Sequence, residues 1–597
     1  MNAPSVHLGM GARLYPDATS FRVWAPNADS VSVAGTFNDW SDSHTPLARE
    51  HDGCWSVDVQ GVRDGDQYRF VIRNGSKTLW RIDPRAVEVT SSIGNAIVRS
   101  DGFDWPATDF QMPSRDELVI YELHAGTFFD KPGPPPGSID EVAHKLGYLR
   151  RLGVTCIELM PATEFPADYS WGYNPAHLYA IEQSYGGPTA LKRLVAKAHE
   201  RGIAVVLDVV YNHLGPDDLD LYQFDGWQMH DMGGIYFYQD WRSWTPWGER
   251  NRPDYGRPQI RRFLCDNALR WLEEFRLDGL RLDMTAYIRS VHGNNQPADQ
   301  IADGWTLLRQ LSGEVRRRQA WKLLIAEDLQ NEAALVQSVD HGGAGFDSQW
   351  DAGFVHPIRA ALIPPRDEQR DMHAVAAALT HDFLGDPLRR VIYTESHDEV
   401  ANGKARVPQE IAPTDAGGWY ARKRSTLGAV LTLTAAGIPM ILQGQELLED
   451  EYFRDTDPVD WSKLRRFRGI HKLYRDLIRL RRNWFDQTRG LRGGNTNVFH
   501  VNQRDKLIAY HRWVDGGPGD DVIVLVNLGH QGFERYRIGM PRAGTWRVRL
   551  NTDSRFYSPD YGDWPGDDGE ASGPGMHGLA FSCDLGIAPY SALVLSQ

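Results

Sequence analysis

The sequence predicts an α/β chain: a parallel (β/α)8 TIM barrel with a β-sandwich module before it and a C-terminal β-sandwich domain after it. Three observations carry this. Short apolar runs recur between residues 118 and 443, helical patterns separate most of them, and both flanks alternate apolar and polar residues between Gly, Asp, Asn and Pro turns.

Taken in order, the N-terminal flank shows Phe21-Arg22-Val23-Trp24, Val31-Ser32-Val33-Ala34, Trp55-Ser56-Val57 and Tyr68-Arg69-Phe70-Val71, the pattern of half-buried strands in a small sandwich spanning about residues 18–104. After residue 115 the period changes. Buried parallel strands read as continuous apolar runs, here at Leu118–Tyr121, Val154–Pro161, Ile203–Asp208, Leu277–Met284, Leu323–Asp328, Gly345–Trp350, Arg390–Asp398 and Ile438–Gln443. Between the second and third, Leu191, Leu194, Val195 and Ala198 follow helical spacing, with Pro188 near the start and Gly202 past the end. Before the fourth, Ile260, Phe263, Leu264, Ala268, Trp271 and Leu272 define another buried helical face. No GxGxxG loop follows the first run, so a barrel is preferred to an open doubly wound sheet. From about residue 489 strands return, notably Val522–Val526 and Thr545–Val548. The predicted division is 1–105 for the first module, 106–488 for the barrel with an inserted loop at 214–257, and 489–597 for the last domain.

With 597 residues, 65 Lys plus Arg against 79 Asp plus Glu and a net charge of −14, the chain has no basic excess to neutralise phosphates or anionic lipid. A neutral substrate is expected, with no nucleic-acid or membrane partner; oligomeric state is not legible. Cys54, Cys156, Cys265 and Cys583 stand singly, which suggests neither a disulfide framework nor a zinc cage. The N-terminus MNAPSVHLGMGARL lacks a basic segment followed by an apolar one, so the expected compartment is cytoplasmic.

In such a barrel the chemistry lies at the carboxyl ends of the strands. Four strands end in polar residues: Asp208 to His213 on the third, Arg281 and Asp283 on the fourth, Glu327 on the fifth, and His397 with Asp398 on the seventh. Strand alternation turns Arg281 and Asp283 into the lumen and Leu280 and Leu282 towards the helices. A carboxylate beside a guanidinium stays ionised, whereas Glu327, following Leu323-Leu324-Ile325-Ala326, sits among apolar neighbours that favour its proton. One ionised and one protonated carboxyl is what retaining glycoside hydrolysis needs. Asp283 is then the nucleophile, Glu327 the acid/base, and Asp398 the group bonded to the distorted sugar, with His213 and His397 donating to the same ring. A metal-dependent hydrolase would need grouped histidines, but the first strand ends Leu123-His124-Ala125-Gly126. No metal site or cofactor is predicted.

The stretches DVVYNH (Asp208 to His213), GLRLD (Gly279 to Asp283), AED (Ala326 to Asp328) and SHD (Ser396 to Asp398) resemble, in order, the motifs of the α-amylase superfamily, glycoside hydrolase family 13. Phe21 to Trp40 resembles the starch- or glycogen-binding-type module of its branching and debranching members. The resemblance implies α-1,4-glucosidic cleavage by Asp283, Glu327 and Asp398, with Asp208, His213, Arg281 and His397 binding substrate and Tyr173 stacking on sugar. Glu395 to Lys404, Gly444 to Glu446 and Tyr536 to Ser554 resemble glycogen branching enzymes. Tyr121 to Phe128, Tyr185 to Pro188 and Arg281 to Ile288 resemble maltooligosyltrehalose trehalohydrolases, and AEDLQ lacks the further Glu and Ser-Thr usual in branching enzymes.

Transfer to a glucan 6-hydroxyl is therefore the leading expectation. The alternatives are trehalose release or amylase-type hydrolysis and, in another class, glucan binding without catalysis. Asn212 matches a calcium-ligand position of some amylases, which leaves calcium open. The loop Asp220 to Tyr255, with Tyr222, Trp227, Tyr236, Phe237, Tyr238, Trp241, Trp244 and Trp247, is either a sugar-stacking surface or a self-packed core, and Trp40 is either a glucan platform or an anchor.

Overall fold

The computed structural model describes residues 3–100 and 102–597. Its centre is a closed barrel of eight parallel strands in chain order: Ile120–Leu123, Cys156–Leu159, Ala204–Val209, Gly279–Leu282, Leu323–Ala326, Ser348–Trp350, Arg390–Ile392 and Ile438–Leu442, the last pairing with the first. All eight overlap the apolar runs read from the sequence, the first extending two residues and the third one residue past its run. The helices Gly187–His199 and Pro258–Glu273 bury the apolar faces their spacing predicts. Among the described residues the fifth connection is made by 3₁₀ turns, Ala333–Leu335 and Val339–His341, instead of an α-helix.

The lumen is filled at its lower end by side chains including Ile120, Val206, Ile325, Trp350, Val391 and Met440. Nearer the carboxyl ends the inward positions become charged: Glu122 pairs in register with Glu158, and Asp208 with Arg281. Strands four and five approach closely because residue 279 is glycine. A Cβ there would meet the Leu323 carbonyl oxygen at 2.4 Å, so any larger residue would push apart the two strands that carry Asp283 and Glu327.

The N-terminal module has two sheets. One contains Gly11–Leu14, Thr19–Trp24, Ala48–Arg49 and Cys54–Val59; the other contains Ser30–Gly35, Gln67–Asn74, Lys77–Arg81 and Ala96–Ile97. Its first strand, Gly11–Leu14, precedes the first alternating run read from the sequence, because this half-exposed strand has too little apolar alternation to announce itself. The C-terminal domain pairs a six-stranded sheet with a two-stranded one between Asn495 and Ser596. All four cysteines are free and buried, and among the described residues no helix is long and apolar enough to cross a membrane.

The first module grips the loop after the third strand. Asn27 donates through its backbone and side chain to Asp225 (both 3.0 Å). Arg81 donates to the carbonyls of Phe224 (3.0 Å), Tyr222 (3.2 Å) and Gln223 (2.9 Å). This half of the loop is a self-packed core, with Phe224, Tyr236, Phe237, Tyr238 and Tyr255 all buried. Its second half exposes Trp241 and Trp244.

Candidate active site

Arg281, fully buried on the fourth strand, organises the barrel mouth. Its guanidinium lies over the Trp350 indole, 4.2 Å from the ring centre, so packing fixes its plane. Nη1 donates to Asp208 and, at 3.1 Å, to Asp283. Nη2 lies 2.8 Å from Glu327 Oε2, an ion contact off the line of its N–H bonds. One cation thus serves three carboxylates.

A backbone turn fixes the other side of the pair. Met284, directly after Asp283, holds φ 37° and ψ 55°, a left-handed conformation costing a non-glycine residue about 1–3 kcal/mol unless its surroundings enforce it. Here they do. The Met284 N–H donates to Glu327 Oε2 (2.8 Å), and Thr285 donates to the Glu327 carbonyl through its amide (2.8 Å) and hydroxyl (2.7 Å). Asn212 donates to the Asp283 carboxylate (2.6 Å) and carbonyl (2.8 Å). Glu327 Oε1 is buried without a hydrogen-bond partner among the described residues.

Burial pushes Asp283 up to about 6, with Arg281 opposing the shift and Asp208 and Asp398 adding to it. Burial also drives Glu327 well above the usual carboxylate range, again against Arg281, with Asp283 and Asp398 contributing. Arg281, read from the sequence as the neighbour that keeps Asp283 ionised, also serves Asp208 and Glu327. Shared three ways, it does not hold Asp283 at an ordinary value. The two carboxyls are set apart in the expected order: Asp283 is raised by burial only to about 6, with Arg281 and Asn212 opposing the shift, while Glu327 is driven well above the usual carboxylate range.

The remaining predicted residues gather around this pair. Tyr173 donates to Asp208 (2.5 Å) and stacks on His397, their ring centres 4.9 Å apart. His397 Nδ1 lies 2.5 Å from Glu122 Oε1, and its Nε2 lies 3.5 Å from Asp398, whose side chain is 39% exposed. Burial opposes charge on His397, but Asp398 and Glu122 outweigh it and raise the imidazole to about 10. His213 engages both ring nitrogens within the protein, with the Tyr173 carbonyl (2.8 Å) and the Asn212 side chain. Burial lowers it to about 3, so in this conformation it presents a neutral ring rather than a free donor.

Residues 98–254 match the α-amylase catalytic domain, residues 9–86 the carbohydrate-binding module 48 (isoamylase N-terminal domain), and residues 499–597 the α-amylase C-terminal all-β domain. A 1,4-α-glucan branching enzyme, GlgB 2 of Xanthomonas campestris pv. campestris, is 30% identical over 615 aligned residues, covering 97% of this chain and 80% of that protein. The chain belongs to the α-amylase superfamily. Pullulanases of Anoxybacillus sp. LM18-11, complexed with maltotetraose, and of Bacillus subtilis, complexed with maltose, share its fold. Both superpose with a TM-score of 0.76, at 20% and 22% identity, covering 99% of this chain and 88% and 86% of theirs.

As a superfamily member the protein is an enzyme, and its mouth holds residues that the motif reading passed over. Glu122 orients His397, and its only sequence signal was a polar residue at an inward position of Ile120–Leu123. Glu158 is buried with one carboxyl oxygen unpartnered among the described residues and is driven well above its ordinary value by burial. Asn212, noted only as a calcium-type position, uses its amide on Asp283 and His213. Among the described residues no cluster of three or more His, Cys, Asp or Glu is arranged to hold a metal.

Proposed function

We propose that this member of the superfamily cleaves α-1,4-glucosidic bonds with retention and transfers the released chain to a glucan 6-hydroxyl. The observation that carries the reading is the Asp283–Arg281–Glu327 bridge, one carboxyl near 6 and the other far above it, with Glu327 Oε1 buried and unpaired. In the first step Asp283 attacks the anomeric carbon as Glu327 protonates the departing oxygen, giving a glycosyl-enzyme ester and a carboxylate at Glu327. In the second, Glu327 takes the proton of the accepting 6-hydroxyl, whose oxygen displaces Asp283 at the same carbon. The anomeric configuration is inverted twice and so retained. Asp398 and the cationic His397 bind hydroxyls of the reacting sugar, and Tyr173 forms the wall beside it. No resident cofactor enters these steps.

Transfer is favoured over hydrolysis by the relative named a branching enzyme, which matches almost the whole chain. The Anoxybacillus neighbour bound to maltotetraose supports an α-glucan substrate. The test is incubation with amylose followed by proton NMR. New α-1,6 anomeric signals without a matching rise in reducing ends are expected. Reducing ends rising without those signals would replace transfer by hydrolysis, and free trehalose released from maltooligosyltrehalose would select the trehalose-forming alternative.

A further inference from the structure

The fifth strand ends at Ala326, one residue before Glu327. Apart from the Glu327 amide, which donates to the Leu282 carbonyl (3.0 Å), the acid and the residue after it owe their placing to contacts outside the strand ladder. Most of these come from the short helix Thr285–Arg289, which follows Asp283 and Met284. Its first residue, Thr285, bonds twice to the Glu327 carbonyl. Its last residue, Arg289, grips Asp328 as a fork: Nε donates to Oδ2 (2.8 Å) and Nη2 to Oδ1 (3.1 Å).

Both side chains of this pair are fully buried. The remaining contacts of the guanidinium hold the loop after the helix, with Nη1 donating to the Asn294 carbonyl (3.2 Å) and Nη2 to the Asn295 side-chain oxygen (2.6 Å). Asp328 Oδ1 also accepts the Gln330 amide (3.1 Å). Either charge left alone there would be costly to bury, so the two hold each other in place. A bidentate guanidinium–carboxylate pair fixes direction as well as distance. The helix that starts beside Asp283 is thus bonded to the acid's own backbone at one end and to the acid's neighbour at the other. Among the described residues neither Arg289 nor Asp328 bonds to the carboxyl of Asp283 or Glu327, so any effect on the chemistry passes through position.

We infer that the buried Arg289–Asp328 pair is a positioning clamp that sets the acid Glu327 at its working distance from Asp283, a role that rests on the function proposed above.

The test uses two donors. The departing oxygen of maltoheptaose needs a proton from Glu327, whereas the leaving group of α-maltosyl fluoride departs as fluoride ion without one. Glu327→Gln sets the scale and is expected to lose maltoheptaose turnover while keeping that of the fluoride. Arg289→Lys keeps the charge but not the fork, and Asp328→Asn keeps the shape but not the charge. In each, the ratio of kcat/KM for maltoheptaose to that for the fluoride is expected to fall about 100-fold, the cost of misplacing a reacting group by about 1 Å. A ratio within about threefold of wild type in both variants, or equal loss of both donors in both, makes the pair part of the fold alone and overturns the clamp. Maltoheptaose turnover at the wild-type rate in Glu327→Gln overturns the reading of Glu327 as the acid, and the clamp with it.

Discussion

Replacing Asp208 by Asn should move the acid limb of the pH–rate profile downward. Asp208 and Asp283 share Arg281 Nη1, and the negative charge of Asp208 is among the causes that lift Asp283 to about 6. Unit charges about 4 Å apart at an effective dielectric near 20 interact by about 4 kcal/mol, or roughly three pK units. The intervening guanidinium cancels most of this, leaving about one unit. The substitution also frees Arg281 for Asp283, which acts in the same direction. Attack requires ionised Asp283, so activity rises with pH through its pKa. In wild type kcat/KM for α-maltosyl fluoride should half-rise near pH 6, and in Asp208→Asn near pH 5. The fluoride needs no proton from Glu327, which isolates the Asp283 limb. A limb that stays in place or moves upward would refute the assignment of that limb to Asp283 and of Asp208 as its repelling neighbour.

Other expectations follow from the contacts around the pair. Glu122→Gln keeps a hydrogen-bond acceptor for His397 Nδ1 but removes a charge that raises it. Because a raised histidine is cationic below its pKa, the variant should keep most activity at pH 6 and fall to about a tenth near pH 9.5, its basic limb lying about one to two units below the wild-type value of about 10; an unchanged profile would reduce Glu122 to a packing role. Arg81→Ala removes three bonds to the loop and an ion pair with Asp220 (3.5 Å). It should cost about 2–4 kcal/mol locally and speed proteolytic cleavage between residues 216 and 250, read by limited digestion and mass spectrometry.

The barrel was legible because parallel strands buried on both faces are written as unbroken apolar runs, and the polar residues that end them mark the mouth. What stayed hidden was pairing. Nothing in GLRLD says that Arg281 reaches Asp208, 73 residues away, or Glu327 on the next strand. Glu122 and His397 are 275 positions apart. The loop was ambiguous for a related reason: aromatic content counts rings but not their surroundings. Burial of Tyr236 and Phe237 beneath the N-terminal module, against exposure of Trp241 and Trp244, is decided by Arg81 and Arg252, whose acceptors are main-chain carbonyls that no motif records. Trp40 shows the same limit, being half-buried on a turn with φ 57°.

Covalent trapping tests the chemistry most directly. A 5-fluoro-α-glucosyl fluoride forms the ester faster than the ester is resolved, and digestion followed by mass spectrometry locates the added sugar. One fluoroglucosyl group is expected on the Asp283 side chain and none in Asp283→Asn. A label on Glu327, Asp208 or Asp398, or turnover of α-glucan in Asp283→Asn at the wild-type rate, would contradict that chemistry.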